Sequence, residues 1–259
     1  MRKMKTSRLI AYISGFYTLV IGIIMVLLST FSIVAFNCTY QESMKESPIS
    51  YMFHLFYYRS HLCDPFIDWS SLGVNMTSLT EPEMPNETES VTRTFHISVL
   101  QLSVNCLLVI TSTVMLVSTR YNWLCGTRRW SYWIYFAPLS LIFFATNFID
   151  MITGWYFSID RFRAYSSDGT MTMLEITNRA EARPVIDQID PSYRTLPPNI
   201  MLYVSLKGIA GIFINIVVLF FVTLTGWEVV DGSKRKLAIK FITNEKKKCD
   251  EEANGSANL

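Results

Sequence analysis

The chain has 259 residues, half of them apolar, with a mean hydropathy of +0.26 and a formal net charge of +2. That composition excludes an ordinary water-soluble domain and a highly charged disordered chain, and points to a protein that lives in lipid. The net charge averages basic segments with acidic ones, so the Lys and Arg residues imply an anionic lipid surface and not nucleic acid.

Residues 1–8 carry Arg2, Lys3, Lys5 and Arg8 without an acid. The apolar run that follows, Leu9–Phe36, exceeds the roughly 20 residues that an α-helix needs to cross about 30 Å of hydrocarbon. It is too long for a signal-peptide core and has no convincing small-residue cleavage site, so it reads as an uncleaved signal anchor with its basic flank in the cytosol. Ser14, Gly15, Thr18 and Gly22 give this helix a small-residue surface on which a neighbour can pack closely.

Residues 37–94 form an acidic segment whose only basic residues are Lys45, Arg59 and Arg93, which places it outside. The acceptor motifs at Asn75 and Asn86 fall well inside it and predict glycosylation, hence the secretory pathway and the plasma membrane. Asn37-Cys-Thr hugs the membrane too closely for modification. Cys38 and Cys63, in an oxidising place, are a candidate disulfide; the spacing does not decide it. The aromatic run Tyr51–Tyr58 must pack on something: the outer end of the bundle, a short strand of its own, or a protein partner. The acidic, proline-bearing stretch Thr80–Glu89 reads as flexible.

A second span is expected at 95–118, carrying Gln101, Asn105 and Cys106, the last as a small apolar residue. The link 119–132 holds Arg120, Arg128 and Arg129 without an acid and belongs inside; Cys125 there is a palmitoylation candidate or a plain thiol. The third span, 133–157, contains Pro138, expected to kink its inner part, and the polar residues Asn147 and Asp150. In the outer segment 158–199, Asp168-Gly169 predicts a small β-hairpin, and Pro184, Pro191, Pro197 and Pro198 argue against a long helix. The fourth span, 200–227, carries Lys207 and the small residues Gly208, Ala210 and Gly211. In the basic tail 228–259, Lys234, Arg235, Lys236 and Lys240 alternate with Leu237, Ile239, Phe241 and Ile242. That pattern fits either a helix lying on the inner leaflet or a plain topology-setting flank.

The expected fold is therefore an all-α membrane protein: a four-transmembrane-helix bundle with both termini cytosolic and two extracellular loops. Only self-satisfied helices or closed barrels span lipid, and these runs lack the alternation of barrel strands. Asp150 and Lys207 each fall about seven residues from an outer helix end, roughly 10 Å deep, so an acid and a base can meet. Gln101, Asn105 and Asn147 lie at similar depth, which predicts a polar cluster joining helices two, three and four. A charge at the bilayer centre costs at least about 2.5–3.5 kcal/mol, so such residues face one another or water. The cluster reads as a structural clamp, as a snorkelling lysine above an isolated acid, or as part of a passage for ions or substrate.

No Cys-x-x-Cys, His-Glu-x-x-His, Gly-x-Ser-x-Gly or phosphate loop occurs, and His54, His61 and His96 lack metal-ligand spacing. No enzyme, metal or cofactor is expected. In layout alone the chain resembles claudin-like tetraspan proteins, which build junctions or accompany channels and receptors. It has neither the Gly-Leu-Trp run that precedes the two claudin-type cysteines nor the Cys-Cys-Gly of tetraspanins. The expected function is a scaffold, cell-contact or accessory subunit that meets membrane or extracellular protein partners through its glycosylated loops. The alternative is a small oligomeric transporter or channel using the Asp150–Lys207 cluster, and a homo-oligomer fits either.

Overall fold

A computed structural model of the chain describes residues 2–38, 47–60, 69–120, 132–207 and 211–227. The described residues are mostly helical, apart from turns and the non-helical stretch 73–88, and contain no strand. The chain divides into two compact units: Met1–Ile21 with Leu107–Phe144 and Ile216–Leu259, and Gly22–Cys106 with Ala145–Asn215.

Among the described residues, three helical stretches are long and apolar enough to cross a membrane: Leu9–Phe36 within α1 (Arg2–Phe36), Glu89–Thr119 within α3 (Glu89–Arg120), and Ile134–Tyr165, which ends in α4 (Ala137–Tyr165). Their burial is inverted relative to a water-soluble bundle. Along α1 the buried positions are Ala11, Ser14, Gly15, Thr18, Gly22, Met25 and Ser29, mostly small and at helical spacing, with Ala35 and Phe36 at its end. The large apolar residues Ile13, Phe16, Ile24, Leu27 and Phe31 are exposed. Hydrocarbon supplies no hydrophobic drive between helices, so small faces pack inward and bulky apolar ones meet lipid.

In the first unit, Ala11, Leu108, Met115, Phe136, Leu139, Phe143 and Val222 form the core. Gly15 lets the Leu116 side chain approach; an added Cβ would stand 3.2 Å from Leu116 Cδ2. One turn further along α1, Ser112 Oγ donates to Thr18 Oγ1 at 2.9 Å, and both groups are buried. A π-helical turn, Tyr132–Phe136, directly precedes α4, whose second residue is Pro138. The proline has no N–H for the i→i−4 ladder, so the α-helix starts around it. Val222 lies in α8 (Gly211–Trp227), an apolar helix shorter than the other three.

The second unit holds a larger core built from segments that the sequence placed in loops. Pro48–Phe53 forms α2, capped by the Ser47 side chain, which accepts from the Ser50 N–H, and led by a proline at its first position. It continues as a π-helical turn, His54–Tyr58. Tyr51, Met52, Leu55, Phe56 and Tyr57 are buried with Trp69, Leu72 and Val74 against Phe157, Met171, Met173, Ile176, Val185 and Ile186. The aromatic run is thus largely interior packing, with Phe53 partly buried against the same core.

Two expectations for 158–199 are corrected. No hairpin forms at Asp168-Gly169; Ser167–Met173 is the helix α5, with Ser166 as N-cap accepting from the Gly169 N–H. Gly169 is required for close approach, since an added Cβ would meet the Arg163 carbonyl oxygen. The prolines do not prevent helices either. Pro184 lies inside α6 (Arg179–Gln188), while α7 (Pro191–Ser205) begins with Pro191 at its first position and contains Pro197 and Pro198. A proline at the first position loses no bond, and the buried Pro197 and Pro198 rings exchange ladder bonds for packing.

The stretch read as flexible is tied down as well. The Glu83 N–H donates to Asn178 Oδ1 at 2.8 Å, Asn178 Nδ2 donates to the Glu81 carbonyl, and the Thr177 N–H donates to the Glu83 carbonyl. At its end the Glu89 N–H reaches Glu175. Residues far apart in sequence are therefore stitched together by backbone–backbone and backbone–side-chain bonds.

Candidate functional site

The expected fourth span is not one continuous helix among the described residues. Helix α7 ends at Ser205, and Lys207 adopts a left-handed backbone with φ of +52°. Its N–H donates to the Val204 carbonyl at 2.9 Å, closing the helix end, before α8 begins at Gly211. A lysine in this conformation is strained by roughly 1–3 kcal/mol, the usual cost of a left-handed non-glycine residue.

The strained residue also carries the charge that the sequence singled out. Lys207 Nζ lies 2.5 Å from Asp150 Oδ2, with both side chains almost wholly buried, at 6% and 2% exposure. Gln101 Nε2 donates to the other carboxylate oxygen of Asp150 at 3.5 Å. Asn105 turns away: its Nδ2 donates to the Gln101 carbonyl at 2.7 Å, and its buried Oδ1 has no partner. Asn147 sits half-buried one turn before Asp150. The ion pair and the Gln101 amide thus meet as expected, and Asn105 steadies the backbone of the helix that supplies the amide.

Two glycines make the approach feasible. A Cβ on Gly154 would meet the Leu206 side chain, and one on Gly211 would stand 2.9 Å from Lys207 Cβ. Gly154 is one turn beyond Asp150 on α4, so its missing side chain and the acid serve the same contact.

A second acid–base pair was not foreseen. Arg93 Nη2 lies 2.5 Å from Asp160 Oδ2, whose side chain is fully buried, and the Arg93 guanidinium sits 5.1 Å over the Tyr156 ring. The Tyr57 hydroxyl donates to the same carboxylate at 3.5 Å, and its ring meets Phe157 edge-on. Burial, followed by the Asp160 charge, pushes the Tyr57 phenol well above its ordinary value. The signal was present in the sequence: Asp150, Thr153, Phe157 and Asp160 follow one helical stripe, and all are buried.

Around α5 to α7 the polar groups are structural. Arg194, buried, donates to Ser167 Oγ at 2.9 Å, and Ser167 bonds Asp187. Burial holds the Arg194 guanidinium below its usual value against the pull of Asp187 and Asp190. Arg183 pairs with Asp168 at the surface. Asp190 caps α7 by accepting from the Ser192 N–H at 2.7 Å, which lowers its carboxyl.

Asn75 and Asn86 are both exposed, and Asn75 Oδ1 accepts from the Thr77 N–H and hydroxyl at 3.1 and 2.9 Å. Cys38 is disulfide-bonded; Cys63, its expected partner, lies outside the described residues, as do Cys125, Lys234, Arg235, Lys236 and Lys240. Cys106 is a free, exposed thiol on α3. No known protein family matches the chain, and no curated protein or solved structure is significantly similar to it.

Proposed function

We propose that the chain is a plasma-membrane protein that crosses the bilayer four times, with both termini cytosolic, and acts without catalysis as a scaffold, cell-contact or accessory subunit. The fourth crossing combines α8 with the end of α7. At about 1.5 Å per residue α8 alone falls somewhat short of a 30 Å core, and the residues from Ile200 supply the rest. The basic flanks at both termini and in the 119–132 link favour this threading.

The observation that carries the reading is the interlocking of 47–60 and 69–90 with α5 to α7 around one apolar core. Loops that served only as connectors would have no need of such a core. A rigid helical cap is a surface fit to hold a partner, and its glycosylated, acidic exterior is where membrane or extracellular proteins would dock, with or without a second copy of the chain. Immunoprecipitation in mild detergent tests this, with recovery of a stoichiometric partner that is lost when residues 69–88 are exchanged for a neutral linker. No such partner, together with no concentration at cell contacts, overturns it.

A second reading, a small oligomeric transporter or channel, is favoured by one observation: the helix break and the buried ion pair coincide at Lys207. Discontinuous helices carry the binding sites of many transporters. Asp150→Asn separates the readings. A variant that reaches the surface but loses a measurable flux supports transport, whereas failure to reach the surface supports the clamp.

A further inference from the structure

In the second unit a cavity of about 350 Å³ opens between α1, α2 with the π turn after it, α3, α4 and α7. Its size falls at the lower end of the roughly 300–1,000 Å³ of small-molecule sites. Met25, Ile97, Phe157 and Val204 give it apolar walls, and no charged side chain lines it.

Several hydroxyls line the cavity, and their bonding differs. Ser32 and Ser98 share a hydrogen bond of 2.8 Å, and Ser98 also donates to the Thr94 carbonyl. Thr94 donates to the Ser90 carbonyl and Ser205 to the Met201 carbonyl, both at 2.7 Å. Ser29 Oγ is the exception: it is buried, lines the cavity and has no partner. A helical hydroxyl in apolar surroundings ordinarily turns back on its own helix, as the neighbouring Thr30 does to the Val26 carbonyl at 2.8 Å. Ser29 forgoes that bond, and the residue lines a space large enough for a ligand.

We propose that this cavity binds a neutral lipid alcohol, a sterol or a long-chain alcohol, whose single hydroxyl pairs with Ser29 Oγ while its hydrocarbon body fills the apolar walls. A carboxylate or phosphate head is disfavoured because it would bury a charge with no cation among the lining residues. A hydrocarbon without a polar head would leave Ser29 unpaired. The source is the surrounding bilayer, so the inference rests on the membrane reading; it does not depend on the choice between scaffold and transporter.

The test uses the full chain purified in detergent and three photoreactive probes: a sterol, a long-chain alcohol and a fatty acid. Labelling by one of the two alcohols is expected to saturate, to be competed by the same unlabelled alcohol, and to exceed labelling by the fatty acid. The sterol and straight-chain arms identify the body of the ligand. Ser29→Ala is expected to weaken binding roughly two- to tenfold, the range of one hydrogen bond. Val204→Phe, which fills the cavity, is expected to abolish labelling with an unchanged elution profile. Non-saturable labelling, labelling untouched by Ser29→Ala, or preference for the fatty acid overturns the proposal. If Val204→Phe aggregates, Ser29→Ala decides alone.

Discussion

The side chain of Leu206 packs so closely over Gly154 that a Cβ added to the glycine would stand 2.5 Å from Leu206 Cδ2 and 3.1 Å from Cγ. Two effects oppose each other at this position. Alanine gains about 1 kcal/mol of helix propensity over glycine, while crowding a packed contact costs about 1–3 kcal/mol. The tip of Leu206 is flexible and can move for one methyl group. Gly154→Ala is therefore expected to change stability by less than about 1 kcal/mol. Gly154→Leu has no room and is expected to lose at least the full crowding cost. Thermal unfolding in detergent, followed by tryptophan fluorescence, measures both; equal behaviour of the two variants would mean that α4 and the end of α7 are not in contact.

The ion pair supplies a second prediction. Removing one member of a buried pair strands the other charge and typically costs about 3–5 kcal/mol, whereas replacing both with apolar groups is often near neutral. Asp150→Leu and Lys207→Met should each reduce stability and surface delivery. The double variant should recover most of the loss, giving a coupling well above the ~0.5 kcal/mol seen between independent sites. Additive losses would show that the two side chains do not meet.

How much of this was legible beforehand depends on which physical effect decides each element. The spans in α1, α3 and α4 were legible because apolar runs of that length have few other uses. Asp150 and Lys207 were legible because charges are rare in such runs. The helix break at Lys207 was not, since its left-handed residue is a lysine and the neighbouring glycines read as a packing patch. The hairpin at Asp168-Gly169 failed because Ser166 caps a helix whose glycine serves a close approach to Arg163. Arg93 and Asp160 were missed because both were assigned to loops, although α3 and α4 extend beyond the expected spans to include them. Propensity and turn rules read only neighbours, and these features are settled by residues distant in sequence.

Tyr57 predicts an alkaline limit to stability. In the folded protein its phenol is held well above 10.0, first by burial and then by Asp160, whereas in the unfolded chain it ionises near that value. Below pH 10 both states hold the proton and the contribution is complete. As pH rises past 10 the unfolded chain loses its proton first, and stability falls with pH. Burial raises Tyr58 in the same direction. Replacing both by phenylalanine should flatten the loss of stability between pH 9.5 and 11, roughly the range around the ordinary tyrosine value, in thermal scans against the unaltered protein. An unchanged slope would mean that neither ring is buried as described.

Glycosylation reports on threading independently of partners. Asn75 is exposed, and its acceptor threonine stands within hydrogen-bonding distance of the amide oxygen. The second motif pairs an exposed Asn86 with the buried Thr88, whose hydroxyl accepts from the Val91 N–H at 3.4 Å near the start of α3. Attachment takes place largely before that packing exists, so both sites are expected to be used if residues 69–88 lie outside. Asn37 follows directly on α1, its N–H still bonded to the Ile33 and Val34 carbonyls, and is expected to stay bare. Asn75→Gln and Asn86→Gln should each remove one glycosidase-sensitive step in gel mobility, the double variant should remove both, and Asn37→Gln should remove none. Modification at the Asn254 motif in the tail, with Asn75 and Asn86 unmodified, would reverse the threading and with it the assignment of the helical cap to the outer face.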